Sequence, residues 1–177
     1  MNPRIALSAL LALTLSAGAA HAQGTPAGFR EEFLRQFDSS MGKFIALAQE
    51  MPAEKYSWRP GEGVLPVAQV YAHVARYNYL YPAQNLGIAA PAGVALDTLE
   101  RIAAKPEVVA LLVASRDHVR RLAGEIPDAQ LARQTELYGR NVQQWAVLLQ
   151  LLAHMNEHLG QSIAYARMNG VVPPWSR

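Results

Sequence analysis

LLAHMNEHLGQSIAYARMNGVVPPW, residues 151–175, carries two histidines inside an otherwise apolar run. His154 and His158 are four residues apart, so on a helix they lie about 40° apart, one turn up the same face. Val147 and Leu151 share that face, followed a turn later by Gln161 and Tyr165. A second apolar arc holds Leu148, Leu152, Leu159 and Ile163. Most sides of this helix are therefore covered, and it must lie inside a helical assembly. The pattern predicts one helix from about Asn141 to Asn169, with Gly170 as its C-cap and Pro173-Pro174 preventing continuation. Two unpartnered imidazoles in such surroundings would cost up to a few kcal/mol. Either a metal ion removes that cost or carbonyls and water do, and the spacing alone leaves both open.

Working backwards, apolar periodicity finds three more long helices. The first begins near Thr25-Pro26, proline at the first helical position. It places Phe29, Phe33, Phe37, Phe44, Leu47 and Met51 along one side. The stretch MPAEKYSWRPGEGVLP breaks it. The second runs from about Pro66 to Tyr81, with Val67, Val70, Tyr71, Val74, Tyr77 and Asn78 at helical spacing. PAQNLGIAAPAG reads as a loop. The third covers Lys105 to Gly124, a short helical turn is expected at Pro127 to Arg133, and TELYGRN reads as irregular. Nothing alternates with period two over a useful length. The expected fold is all-α, a four-helix bundle, an architecture that builds metal sites from side chains on facing helices.

The start of the chain does not belong to that bundle. MNPRIALSALLALTLSAGAAHA has a cationic Arg4, an apolar run of signal-peptide length and small residues before Ala22. Residues 1–22 are expected to be a signal peptide cleaved after Ala22, and residues 23–177 the folded domain. The apolar run is shorter than a membrane span. The expected location is periplasmic or secreted, with no membrane attachment after cleavage. The formal charge is +2 for the whole chain. It falls to +1 without Arg4, leaving 15 Lys/Arg against 14 Asp/Glu, with no dense basic run, so no nucleic-acid partner is expected. There is no cysteine, which excludes disulfides, zinc–thiolate sites and a thiol nucleophile.

Histidine is thus the softest ligand available. His73 on the second helix and His118 on the third both sit at the border of an apolar stripe, and periodicity does not choose between them as a third ligand. His154-Met-Asn-Glu-His158 also matches the inverted zincin pattern, with Glu157 as general base. Glu157 points about 80° away from the midline of the pair. Tyr71, Tyr77, Tyr79, Tyr81 and Trp145 can line a pocket, or serve as core or dimer contacts.

The whole run HMNEHLGQSIAYARMNGVVPPW resembles the last helix of DinB-like proteins: a paired histidine, Gly160-Gln161, Tyr165-Ala-Arg167, Gly170 and a proline pair. MPAEKYSWRPGEGVLPVAQVYAHVARYNY is similar to that family's approach to its second helix, which ends in a histidine, here His73. KPEVVALLVASRDHVRRL looks like its third helix. The resemblance spans about Phe29 to Trp175. It implies a DinB-like four-helix bundle, often a homodimer, with a divalent ion, usually zinc or nickel, on His73, His154 and His158. His118 falls outside that triad, as a polar residue on the bundle's edge.

Three neutral imidazoles leave a cation with an open position. The expected function is metal-dependent hydrolysis of a small-molecule substrate by metal-bound water, with Glu157 and Gln161 as water-orienting or ligand-supporting groups. Two alternatives stand beside it. One is a non-catalytic periplasmic metal- or ligand-binding or stress protein. The other is a thiol-dependent transferase of the kind the resemblance also implies, whose thiols are mainly cytosolic.

Overall fold

The computed structural model describes residues 24–177; the expected signal peptide and its cleavage position lie outside them. The chain is mostly helical. In order, α1 spans Phe29–Glu50, α2 Val67–Tyr81, α3 Lys105–Glu125, the short α4 Asp128–Leu131, and α5 Trp145–Met168. Two strands, β1 Gln134–Leu137 and β2 Arg140–Gln143, lie between α4 and α5. Among the described residues no helix is long and apolar enough to cross a membrane.

α1 packs against α3 and α5, and α2 packs against the same two. The apolar stripes read from the sequence meet in the middle. Phe37, Met41, Phe44 and Leu47 from α1 join Val74 of α2, Val108, Leu112 and Val119 of α3, and Leu148, Leu151 and Met155 of α5, all essentially inaccessible. Each such side chain contributes roughly 1.5–3 kcal/mol when withdrawn from water. α1 has no basic residue in its last turn. The need is met from outside: Lys105, at the start of α3, donates Nζ hydrogen bonds to the carbonyls of Gln49 (2.6 Å) and Met51 (2.8 Å). A cation on the free carbonyls of a helix C-terminus is favoured by both hydrogen bonding and the helix dipole. At the other end, Arg30 binds the carbonyls of Ala123 and Ile126 and the Asp128 carboxylate, fastening the start of α1 to the end of α3.

Four boundaries differ from the sequence reading. α1 starts at Phe29 rather than near Thr25, because Gly28 turns left-handed (φ 73°) just ahead of it. Such a turn breaks a helix and suits glycine. Beyond Tyr81 the chain does not open directly into a loop. Pro82–Leu86 forms one wide π turn, closed by Gly87 at φ 69°. TELYGRN is not irregular: β1 and β2 pair antiparallel, Leu137 opposite Arg140. The two turn residues, Tyr138 (φ 52°) and Gly139 (φ 72°), are both left-handed, as a tight type I′ hairpin requires. β2 occupies the first residues that the periodicity assigned to the last helix, so α5 begins at Trp145 instead of Asn141.

Candidate metal centre

α2 and α5 lie side by side, and their shared seam carries the three histidines. His73 comes from the second turn of α2, His154 and His158 from the middle of α5. One ring nitrogen from each lies within 4.8 Å of the others. The ring centroids form a nearly equilateral triangle: 5.1 Å from His73 to His154, 4.9 Å from His73 to His158, and 4.6 Å between His154 and His158. The helices converge because Val70, Val74, Leu151, Met155 and Leu159 bury their other faces in the core. The histidines are left on the outer border, partly exposed.

Hydrogen bonding fixes the tautomers of two of them. His73 Nδ1–H donates to Glu100 Oε1 at 2.9 Å. His158 Nδ1–H donates to Gln161 Oε1 at 2.8 Å. A carboxylate and an amide oxygen only accept, so in each ring Nδ1 holds the proton and Nε2 keeps its lone pair. The support continues outward. Gln161 Nε2 donates to the Tyr165 hydroxyl (3.0 Å), which donates to the Leu65 carbonyl (3.2 Å). Glu100 also faces Arg76, whose Nη1 is 3.6 Å away and whose Nε donates to the Leu96 carbonyl.

Electrostatics disfavour charge on two of the rings, His73 and His154. Burial is the main cause that lowers the pKa of His73, with Glu100 pulling the other way. His154 is pushed down to about 3, first by burial and then by His158 and His73. One ring nitrogen of each histidine faces the other two across a shared gap. That donor set fits a divalent cation. No fourth His, Asp or Glu donor joins the group among the described residues, so the protein fills three positions only.

The other expected residues divide cleanly. Gln161 belongs to the site, through His158. Glu157 is exposed on the outer flank of α5, without a hydrogen bond or ion pair among the described residues. His118 is outside the triad, as expected, yet it is not on an edge. It is 5% exposed, its ring lies 5.0 Å from that of Tyr79, and its buried Nε2 has no hydrogen-bond partner. It lines a cavity of about 420 Å³ with Ile88, Arg121 and Leu122. Burial, more than the nearby Arg121, lowers its pKa. Tyr71 and Tyr79 are core residues. Trp145 packs edge-on against Phe29 at 5.5 Å. Only Tyr77 and Tyr81 meet the histidines. Glu100 was missed by the sequence reading: it lies 27 residues from its partner, in a one-turn 3₁₀ segment, Leu99–Arg101, that carries no periodic signal.

The sequence profile of the family described as the DinB superfamily matches residues 36–166. A DinB-like protein from Bacillus cereus ATCC 10987 superposes with a TM-score of 0.62 at 18% identity, over 81% of this chain and 95% of that one. A DinB-like protein from Bacillus subtilis gives 0.55 at 20% identity, over 82% and 98%. At these identities the likeness speaks to fold. No curated protein matches the chain.

Proposed function

Given that this chain belongs to the DinB superfamily, we propose that it is an exported metal-dependent hydrolase acting on a small molecule. In this reading the four long helices are the family's four-helix bundle, residues 1–22 direct export to the periplasm or beyond, and the working unit is a homodimer. His73, His154 and His158 hold one zinc or nickel ion. The observation that carries the proposal is the donor set: three imidazoles from two helices, with no fourth His, Asp or Glu donor among the described residues. A closed tetrahedral structural site would use four protein ligands, whereas a catalytic one keeps a position free.

A bound divalent ion would supply Lewis acidity, polarising a substrate carbonyl and making water nucleophilic near neutral pH. The chain's own residues prepare for it. Glu100 and Gln161 hold the Nδ1–H groups of His73 and His158, so ring orientation is set in advance and Nε2 would be the nitrogen each offers to a cation. Tyr165 and the Leu65 carbonyl anchor Gln161 in turn. Burial keeps His154 deprotonated, so protons do not compete for that ring at ordinary pH. Glu157, on the exposed flank beside His158, is the candidate for moving a proton to or from water.

Metal content and activity test this together. Tag-free protein should contain about one zinc or nickel ion per chain and cleave members of an ester, amide and phosphoester panel. His158→Ala should lose both properties, while Glu157→Gln should keep its metal and lose turnover. Equal behaviour of the wild type and His158→Ala across the panel would refute hydrolysis at this centre.

A further inference from the structure

The seam that holds the histidines continues past them as a row of phenols. The Tyr77 ring lies 4.6 Å from His73 and 4.5 Å from His154, tilted by 46° and 39°, so it leans across two of the three imidazoles. One turn on, Tyr81 stands edge-on to Tyr77 at 4.9 Å and to His154 at 5.9 Å. The third phenol comes from another element. Tyr138, at the tip of the β1–β2 hairpin, lies 6.2 Å from Tyr81, and the two hydroxyls are hydrogen-bonded to each other.

Tyr138 has two further properties. It is the one non-glycine residue with positive φ among the described residues, and it is 65% exposed. A left-handed backbone disfavours tyrosine where glycine would sit freely. The hydroxyl bond to Tyr81 offsets that cost and fixes the hairpin tip over the end of α2. Most of its ring is nevertheless left facing solvent, on the same side as the aromatic row.

The charge of this wall is also informative. Arg76 lies 5.4 Å from the Tyr77 ring centroid, but its guanidinium is engaged by Glu100 and the Leu96 carbonyl. The Arg76 guanidinium is therefore not free to receive a dianion, and Tyr77 and Tyr138 keep solvent-facing surface while Tyr81 is buried beside them, 3% exposed.

We propose that Tyr77 and Tyr138, braced by the buried Tyr81, form the specificity wall of the metal centre, selecting substrates with a planar aromatic group beside the atom that meets the cation. The inference rests on the metal reading above. Flat rings gain from stacked and edge-to-face contact with such a row, and saturated groups of equal size do not. Tyr77 positions the ring near the histidines; Tyr81, buried behind it, holds Tyr138, which closes the outer end.

The test uses cobalt(II) as a coloured stand-in for the ion, in the full mature protein, with three carboxylates that bind metal through the same group. Benzoate should perturb the visible cobalt spectrum at roughly tenfold lower concentration than acetate or cyclohexanecarboxylate, the scale of one or two aromatic contacts. Tyr77→Leu should bring benzoate and cyclohexanecarboxylate within about twofold. Because Tyr77 touches two ligands, Tyr138→Gly is the second variant: it touches no histidine and relieves the positive φ. It should bind cobalt as the wild type does and lose several-fold of the benzoate preference. Protein that binds no cobalt overturns the metal reading, and this inference with it. Protein that binds cobalt but treats benzoate and cyclohexanecarboxylate alike, or keeps its preference in both variants, overturns the wall alone.

Discussion

Removing the Glu100 carboxylate should weaken metal binding without touching a ligand. The carboxylate takes the Nδ1 proton of His73 at 2.9 Å and faces Arg76 at 3.6 Å. In Glu100→Ala the imidazole loses its orientation and its fixed tautomer, and Arg76 is left with one fewer negative neighbour beside an incoming dication. Loss of such an outer partner costs 10–100-fold in metal affinity, or about 1.4–2.7 kcal/mol. Both side chains retain some solvent access, 21% for His73 and 26% for Glu100. Water can therefore replace part of the bond, which places the expected loss in the lower half, about 10–30-fold. Glu100→Gln keeps an acceptor for Nδ1–H and gives up only the charge, so its loss should be about 3–5-fold. Competition against a coloured chelator gives the dissociation constants, and circular dichroism checks that the helices are intact. A Glu100→Ala protein that binds zinc as tightly as the wild type would refute the assignment of this carboxylate to the site.

Gln161→Leu should weaken zinc binding about tenfold by freeing His158, and Tyr165→Phe should do less, since it acts one hydrogen bond further out; equal effects in the same chelator titration would contradict the chain as described. In metal-free protein, His73 and His154 both have folded-state pKa values below the ordinary 6.5. The unfolded chain therefore binds protons first, and stability should fall as pH drops below about 6.5 and continue falling toward 3. Urea midpoints in chelator between pH 7.5 and 5 should show that slope, and His154→Asn should flatten it. Phe37→Ala, at a fully buried position, should cost about 3–5 kcal/mol by denaturant titration. A loss under 1 kcal/mol would mean that the core is not packed as described.

What the sequence revealed followed from repetition. α1, α2, α3 and α5 each repeat an apolar stripe over four or more turns, long enough for the 3.6-residue period to stand out. His154, His158 and Gln161 share one such helix, so their mutual reach followed from spacing alone. His73 could be paired with them only through resemblance, because the approach of α2 to α5 depends on core packing spread along the chain. The hairpin escaped because four-residue strands offer barely two alternations, and tyrosine at a left-handed turn position is an unusual signal. His118 was misplaced for a related reason: its stripe border reads as an edge, but Tyr79 of α2 and the cavity side chains of α3 close over it.

Lys105 and Arg30 tie the helix ends together, and Phe37, Phe44, Leu112, Leu148 and Met155 fill the centre, all without help from the histidines. The scaffold is thus complete before any cation arrives. On the proposed reading, loading with a cation follows folding and is governed by what the surrounding medium offers. A chelator should empty the centre reversibly and leave the helices standing.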